Sequence, residues 1–357
     1  MAKPHFVTYC IVAALIPLSP LRLSAQDKGD GDLFSTDSVL QITVSGNTKE
    51  LFNDRDENSS MHPMVISCQD KNGQQARLNV NIKTRGHFRK SAQNCIYPPL
   101  QFNFTASDTL SQSLFSNQHK LKLVMPCAGD EYVIREYLVY KLYNLITPLS
   151  FKVRLAKLNF ENTNKKTAVS FYGFFIEEED QMARRNKFSA VEWKIRAAQS
   201  KRAEFIQMAV FEYMIGNTDW SVEYLQNIKL ATVDSNSAPI TIPYDFDHAG
   251  IVNTPYALPA EELHLSSIRE RRFRGYCIND MQAFDSVFAK FNVLRPDFEK
   301  VYSSCPLLTD KYKKSTLQYL SGFYKTINDA AEANKEFSYP CDPNGTGNVI
   351  IKGLRED

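Results

Sequence analysis

Four oxygen-bearing side chains follow one another at spacings that predict metal-assisted phosphoryl transfer. Asp219 comes first, Asn227 lies eight residues further on, and Asp245 and Asp247 end the segment ITIPYDFD. Mg²⁺ and Mn²⁺ prefer carboxylate and amide oxygens together with phosphate oxygens. In phosphoryl-transfer enzymes one Asp orients the acceptor hydroxyl, an Asn holds metal, and a later Asp bridges metal to phosphates. The four residues occur in that order.

A predicted β-hairpin brings these side chains together. Residues 228–231 (IKLA) and 241–244 (TIPY) are strand-like and flank the polar loop ATVDSNSAP. In an antiparallel pair the start of the first strand lies beside the end of the second, so Asn227 and Asp245 should be neighbours. Taken singly, each Asp is better explained as a helix cap or a turn residue, and only the whole ordered set favours phosphoryl transfer. Crowded carboxylates repel, so a metal-free structure should hold an ion, ordered water or a basic side chain among them.

Length and composition bound the class of protein. The chain has 357 residues, of which 43% are hydrophobic and 23% charged, with a formal net charge of +2. This length allows one large two-lobed domain or two smaller ones, with a sizeable core. The near-neutral balance argues against nucleic acid or a membrane surface as a bulk electrostatic partner. The oligomeric state stays open.

The N-terminus has the pattern of a secretory signal. Lys3 precedes an apolar run at 6–18 that is too short to span a bilayer, and a small residue, Ala25, ends the segment. We predict a signal peptide over residues 1–25 and export to the periplasm, the cell surface or the medium. An N-terminal anchor is the alternative. No later run is long enough for stable membrane insertion.

Cysteine usage agrees with export. Cleavage after Ala25 removes Cys10 and leaves an even number, which fits disulfides in an oxidising compartment. At least two of these cysteines should be bonded, but the sequence does not give the pairing. Free buried thiols are the alternative. The remaining cysteines are Cys68, Cys95, Cys127, Cys277, Cys305 and Cys341.

Strand patterns dominate before Asp180 and helical patterns after it, with an interlobe hinge near that residue. We predict a β-rich N-lobe with an N-terminal extension over 26–180, and a mainly helical C-lobe carrying the hairpin over 181–357. Strands are expected at 39–44, 63–67, 76–83, 100–104, 119–124, 152–160 and 169–177. Helices are expected at 130–146, 192–202, 203–215, 278–291, 295–305 and 317–335.

Basic residues of the N-lobe are candidate phosphate ligands. The turn TRGHFRK places Arg85 beside a glycine, where backbone N–H groups can hold phosphate. Lys120 and Lys122 share one face of a predicted strand, and the following helix carries Glu136. A kinase uses such a Lys–Glu pair to hold the nucleotide phosphates. A solvated turn and a surface ion pair are the alternatives.

A second basic stretch follows the hairpin. The run SSIRERRFR carries Arg269, Arg271, Arg272 and Arg274. It is a candidate for gripping a phosphorylated or acidic acceptor. A solvated helix face is the more usual outcome for such a run.

Over residues 80–255 the chain resembles CotH-type kinases, the spore-coat protein H family. The motifs are TRGHFRK, HKLKLV followed by IREYLVYKL, FYGFFIEEED, and the pair GNTDW…QNIKL and IPYDFDHAG, of which the last pair is the most specific. The resemblance implies an α+β, bilobal protein-kinase-like fold. It also implies phosphate transfer from ATP, with divalent metal, to protein Ser or Thr.

By position, the resemblance makes Asp219 the catalytic Asp. Asn227 and Asp245 would be metal ligands, with Asp247 as a close neighbour, and a strand lysine would hold nucleotide with Glu136. The chain departs from ordinary kinases in lacking a GxGxxG loop and in its long gap between Asp219 and Asn227. A catalytically inactive kinase-like binding module is therefore one alternative. A metal-dependent phosphoester hydrolase using the same acidic cluster is the other.

Overall fold

The structure is a computed structural model that describes residues 32–70, 72–105, 113–116 and 118–350, together with Met1. The predicted signal peptide, its cleavage after Ala25 and Cys10 lie outside the described residues. Within the described part of the chain, no helix is long and apolar enough to cross a membrane.

The N-terminal half forms a closed barrel of seven strands in the order β1-β2-β3-β4-β5-β7-β6. Alternating apolar residues face its interior, and Val80, Phe102 and Phe175 are fully or almost fully buried there. The strands are β1 Leu40–Gly46, β2 His62–Gln69, β3 Gln75–Thr84, β4 Leu100–Asn103, β5 Lys120–Val124, β6 Val153–Asn162 and β7 Thr167–Ile176.

The strand positions agree with those expected from alternation, but the closure was not expected. Strands β1, β2 and β3, which correspond to the predicted strands at 39–44, 63–67 and 76–83, pair antiparallel. The ring closes through a parallel pairing of β1 with β6, in which Leu40 lies opposite Ala156. The N-terminal half is therefore a barrel rather than an open sheet.

Helix α2, Asp130–Ile146, packs on the outside of the barrel against β6 and β7. Its predicted bounds are confirmed. A shorter helix, α1 Thr48–Asn53, lies between β1 and β2. Most of α2 is buried, including the carboxylate residue Glu136. Burial of α2 places the Glu136 carboxyl group in the interior beside the hairpin.

The C-terminal half is mainly helical and holds a second sheet. Helices α3 Glu179–Arg185 and α4 Arg202–Ile215 alternate with a three-stranded sheet of order β10-β9-β8. The sheet consists of β8 Ser189–Val191, β9 Ile228–Thr232 and β10 Ile240–Pro243. Three more helices follow, namely α5 Asp285–Ser303, α6 Asp310–Ile327 and α7 Ala330–Phe337. The predicted boundary at Asp180 falls inside α3.

Several helix predictions were wrong in detail. The expected helix at 192–202 is absent, since residues 192–196 have no regular structure and a 3-10 turn follows at Ala197–Gln199. The expected helices at 278–291 and 295–305 are largely the one helix α5, which continues through Pro296. The expected helix at 317–335 is two helices, because Asp329 caps a new start by accepting from the Ala331 and Glu332 N–H groups.

Two disulfides form, as the even cysteine count predicted. Cys95 bonds Cys127, and Cys277 bonds Cys341. Cys68 is a free buried thiol inside the barrel. Because structural disulfides belong to oxidising compartments, the two bonds are compatible with an exported protein.

Candidate active site

As predicted, Asn227 and Asp245 are neighbours at the open end of the β9–β10 hairpin. Ile228 lies opposite Pro243, and the Tyr244 N–H donates to the Asn227 carbonyl at 3.0 Å. Asn227 and Asp245 both have left-handed backbone, with φ of 51° and 61°. Asn and Asp tolerate this conformation better than most residues, and unusual backbone clusters at functional sites. The two polar residues therefore flank the strands at the same end.

Asp219 lies in the loop after α4 and is held firmly by its own loop. Its Oδ1 accepts a hydrogen bond from Gln226 Nε2 at 2.5 Å, and its Oδ2 accepts one from Asn227 Nδ2 at 3.0 Å. Burial raises the pKa of Asp219; Asp247 and Asp245 add to the rise while His248 opposes it. Asp245 and Asp247, the predicted neighbours of Asp219, thus make it harder for Asp219 to lose its proton.

An arginine that the sequence argument did not select occupies the middle of the acidic group. Arg89 Nη2 lies 2.8 Å from Asp245 Oδ1, and its Nε lies 3.4 Å from Asp247 Oδ2. Its Nη1 lies 3.2 Å from Glu136 Oε2 on α2. The expectation of a basic side chain among the carboxylates is met by this guanidinium.

Asp247 is the most strongly ionised of the carboxylates. It is 5% exposed, and Tyr256 Oη donates to its Oδ2 at 2.9 Å. Although burial opposes ionisation, Arg89, His248 and Tyr256 hold the pKa of Asp247 below its usual value. Although the Asp245 side chain is 42% exposed, desolvation by the residues crowded around it and the adjacent Asp247 raise its pKa. The two carboxylates therefore differ in how readily each loses its proton.

Phe246, between the two acidic residues, anchors the segment in the core. Its ring is fully buried, 4.7 Å from the Tyr140 ring of α2 and 5.8 Å from the Phe211 ring of α4. Tyr140 Oη also accepts a hydrogen bond from the Asp245 N–H at 2.8 Å. Aromatic packing from two helices thus fixes the residues that carry the carboxylates.

Glu136 does not pair with a strand lysine, and that prediction is wrong. Its Oε2 contacts Arg89, and its Oε1 has no hydrogen-bond partner among the described residues. Burial, with the neighbouring Asp247 and Asp245, raises the pKa of Glu136 to about 8 even though Arg89 opposes the rise. The reason is topological. The loop between β3 and β4 places the Arg89 guanidinium against Glu136, and this position is therefore not taken by a lysine of β5.

Arg85 and Lys122 lie close to the acidic group without joining it. They line a small cavity of about 30 Å³ together with Lys229 and Asp245. Burial lowers the pKa of Lys122, and Arg85 and Lys229 lower it further. Lys120, two residues earlier on β5, is exposed. The cavity therefore has a cationic wall opposite the carboxylates.

Asp245, Asp247 and Asn227 are residue types that bind divalent cations, but their present arrangement does not form a metal site. Carboxylate oxygens of Asp245 and Asp247 with the amide of Asn227 form a hard donor set. Within the described residues, no three His, Cys, Asp or Glu side chains form a group ready to hold a metal ion. Arg89 separates the carboxylates and accounts for this.

The arginines of the run SSIRERRFR hold the backbone instead of an acceptor. Arg274 is 4% exposed and its Nη1 donates to the Thr218 and Trp220 carbonyls on either side of Asp219, both at 2.6 Å. Arg271 donates in the same way to the Met214 carbonyl at 3.1 Å. The run is therefore neither a solvated helix face nor a free basic patch.

Sequence reasoning missed Arg89, Tyr256 and Arg274. Arg89 stood in the quoted TRGHFRK motif, but only the arginine next to the glycine was selected. Tyr256 lies nine residues after Asp247, outside any motif, and no local signal marks it. Arg274 was noted as one member of the basic run SSIRERRFR, but the spacing of the run does not distinguish it from the other arginines.

Comparisons with known proteins leave the chain without an assigned family. No protein-family model matches the sequence, and no curated protein matches it. Among solved structures, it is similar to the crystal structure of a Helicobacter pylori proinflammatory kinase, CtkA, at 10% identity. The match has a TM-score of 0.39 and covers 66% of this chain and 90% of that one. Because the TM-score is low, it carries no inference here, and the resemblance to CotH-type kinases stays a prediction.

Proposed function

We propose that the protein is a kinase-like phosphotransferase that moves the terminal phosphate of a nucleotide, ATP, to a hydroxyl acceptor with help from Mg²⁺ or Mn²⁺. The observation that carries the proposal is the meeting of Asp219, Asn227, Asp245 and Asp247 at one end of the β9–β10 hairpin, opposite a cationic wall. In this proposal the barrel and the helical half are the two lobes of a kinase-like fold.

Asp219 has the role of orienting the acceptor hydroxyl. Both of its oxygens accept hydrogen bonds from Gln226 and Asn227, so its rotamer is fixed before substrate arrives. Arg274 supports the same loop through the flanking carbonyls. A preorganised general base or orienting group contributes more to transfer than a mobile one.

Asp245 and Asp247, with the amide oxygen of Asn227, are the residues that would hold the divalent cation. When bound, the cation supplies positive charge for the phosphate oxygens of the nucleotide. Phe246 and Tyr140 keep the carboxylates on a fixed backbone. Packing and this hydrogen bond therefore hold the backbone that carries the two carboxylates.

The cationic wall is the proposed place of the phosphates. Arg85, Lys122 and Lys229 line the same cavity as Asp245. Lys229 already pairs with Glu179 at 2.7 Å, and the mutual repulsion of Arg85 and Lys122 favours an anion between them. Lys120 is exposed on the same strand and contributes only through solvent. Glu136 acts indirectly, through Arg89.

Nucleotide binding in this proposal includes an opening of the cleft. The cavity measures about 30 Å³, whereas small-molecule pockets occupy about 300–1,000 Å³. Lobe or loop movements of this kind gate many phosphotransferases. A nucleotide would therefore need a wider cleft than the described conformation provides.

The acceptor in this proposal is a protein Ser or Thr, or another hydroxyl compound outside the cytoplasm. Its location follows from the predicted signal peptide and is supported by the two disulfides. No feature of the site selects one acceptor over another.

A transfer assay tests the proposal and separates it from its alternatives. Purified protein is incubated with ATP labelled on the terminal phosphate, Mg²⁺ or Mn²⁺, and a casein or peptide acceptor. We expect label on the acceptor or on the protein itself. Free phosphate without transfer would indicate a hydrolase, and nucleotide binding without turnover would indicate an inactive binding module.

The Asp219→Asn variant makes the test residue-specific. It should lower transfer by at least about 100-fold, the usual contribution of such a group, and leave nucleotide affinity unchanged. The matched control is Asp234→Asn, because Asp234 lies in the turn at the far end of the same hairpin. Equal transfer by wild type and Asp219→Asn would overturn the assignment.

A further inference from the structure

A C-terminal strap, defined as residues 339–349, contacts the segment that follows the β9–β10 hairpin. The start of the strap is attached covalently, because Cys341 bonds Cys277. Further along, the Gly347 carbonyl accepts a hydrogen bond from the Gly275 N–H at 3.1 Å. Gly347 is itself buried, so the strap is packed at this point. The strap is therefore fixed to the segment at two separate places.

Thr346 attaches the middle of the strap through its hydroxyl group. Its Oγ1 accepts a hydrogen bond from Arg272 Nη1 at 2.6 Å and donates one to the Leu263 carbonyl at 3.2 Å. The Arg272 guanidinium also lies over the Tyr339 ring, 4.4 Å from the ring centre. These contacts connect the strap to the basic run SSIRERRFR, which also contains the arginine that reaches the proposed active site.

That arginine, Arg274, joins the strap to the loop that carries Asp219. Its Nη2 donates to the Val349 carbonyl of the strap at 2.9 Å. Its Nη1 donates to the Thr218 and Trp220 carbonyls, both at 2.6 Å. One guanidinium therefore contacts the strap on one side and the backbone on both sides of Asp219 on the other.

The Arg274 guanidinium depends on these carbonyls because it is removed from water. Arg274 is 4% exposed, and its Nε has no hydrogen-bond partner among the described residues. A buried charged donor that loses its acceptor is costly, and it cannot be compensated by solvent. Loss of the Val349 carbonyl should therefore disturb the position of the whole guanidinium, including its contacts with the Asp219 loop.

We propose that the strap is a positioning element of the Asp219 loop and that it acts through Arg274. While the strap is docked, Val349 completes the set of carbonyls around Arg274, and Arg274 holds the loop. When the strap is removed, the loop should lose this fixed position, and Asp219 should orient the acceptor less well. The strap itself does not touch the proposed reacting groups. Its effect on transfer rests on the proposed function, whereas its coupling to the loop does not.

Hydrogen–deuterium exchange tests the coupling without an assay of activity. The test variant is a truncation after Asp342, which keeps both disulfides and removes the Thr346 and Val349 contacts. We expect it to speed exchange of the backbone amides at 217–221 at least about tenfold, because Arg274 loses a hydrogen bond made by a charged donor. Exchange in β6 of the barrel should stay as in wild type. Unchanged exchange at 217–221 would overturn the proposal.

Controls separate this effect from a general loss of structure. A truncation after Ile350 leaves the whole strap in place and should exchange as wild type does. If the truncation after Asp342 also speeds exchange in β6, Thr346→Val decides, because it removes only the hydroxyl hydrogen bonds of the strap. We expect Thr346→Val to speed exchange at 217–221 alone, and no change there would overturn the proposal. Asn348→Ala, which alters an exposed side chain of the same strap, is its matched control.

The transfer assay tests the consequence for catalysis. The truncation after Asp342 should lower kcat at least about tenfold and leave KM for the nucleotide unchanged, because the strap acts on the residue that orients the acceptor. A raised KM with an unchanged kcat would contradict the positioning role. A wild type that transfers no phosphate would overturn the proposed function, and the exchange experiment would still decide whether the strap holds the loop.

Discussion

Glu212 on α4 is a buried carboxyl group that serves no predicted role. It is 1% exposed and makes no ion pair within the described part of the chain. Burial raises its pKa well above the usual value, while the nearby Asn217 side chain opposes the rise and Asp219 adds to it. The folded protein therefore keeps a proton on Glu212 that the unfolded chain releases.

The pH dependence of stability follows from that proton. Because the folded-state pKa is raised, the contribution to stability is fully present below the ordinary value of 4.5 and is lost as pH rises towards the folded-state pKa. The loss amounts to at most about 1.4 kcal/mol per pH unit. We expect Glu212→Gln, which cannot ionise, to reduce the fall in unfolding free energy between pH 5 and pH 8. Urea denaturation at both pH values measures the unfolding free energy. The same fall in this free energy from pH 5 to pH 8 in wild type and Glu212→Gln would contradict the prediction.

At the residue scale, the sequence predicted that Asn227 and Asp245 lie together at the hairpin end, but it did not predict the partner of Glu136. Asp219, Asn227 and Asp245 were selected because their order along the chain matches the order of roles in phosphoryl transfer. The partner of Glu136 was misassigned because Lys122 and Arg89 are both basic residues upstream of α2. Only the path of the β3–β4 loop decides between them, and that path depends on tertiary packing.

At the element scale, the hairpin and α2 were predicted because each has a local cause. Two strand-like segments around a polar loop specify a hairpin, and apolar spacing after a glycine specifies the helix. The region at 192–202 was misread because its composition favours a helix, whereas the chain there is irregular between the end of β8 and the start of α4, apart from the 3-10 turn at Ala197–Gln199. The break before α7 depends on capping by Asp329. The average composition of a segment does not reveal the effect of a single capping residue.

The Cys95–Cys127 disulfide is an element whose role can be tested. It closes a separation of 32 residues and joins the Arg89 segment to the start of α2. The Cys277–Cys341 disulfide closes 64 residues near the C-terminal end of the described chain. Removing either should cost about 3–5 kcal/mol in the chain-entropy account.

The two removals should differ in their effect on nucleotide binding. Replacing Cys95 and Cys127 by serine should weaken Mg²⁺-dependent binding, because Arg89 and Glu136 then lose a fixed relation. Replacing Cys277 and Cys341 is the matched control, since it lowers stability without touching that segment. Calorimetric titration of both double variants, below their melting temperatures, measures the difference. Equal loss of affinity would show that stability alone is responsible.

At the scale of the whole molecule, the division into a β-rich and a helical half could be read from the sequence, but the closed barrel could not. Closure depends on β1 pairing in parallel with β6, and Leu40 and Ala156 are far apart in sequence. Alternation identifies strands but does not say which strands meet. The loop carrying Arg89 reaches α2 and the hairpin as a consequence of that arrangement.

The central claim is that the hairpin end binds nucleotide through a divalent cation, and Asp245 tests it best. Its side chain is 42% exposed, so the fold should tolerate its replacement. Asparagine is preferred over alanine because the backbone φ of 61° suits Asn. Asp245→Asn therefore removes the charge while it keeps the shape and the conformation.

The decisive measurement is calorimetric titration of a non-hydrolysable ATP analogue with Mg²⁺ into wild type, Asp245→Asn and the turn control Asp234→Asn. We expect wild type and Asp234→Asn to bind equally well. Asp245→Asn should bind at least about tenfold more weakly, a loss of about 1.4 kcal/mol. Chelation of Mg²⁺ should weaken wild type to a similar extent. Binding of the analogue by Asp245→Asn as tight as that of wild type would contradict the account, and the acidic residues would then be turn formers only.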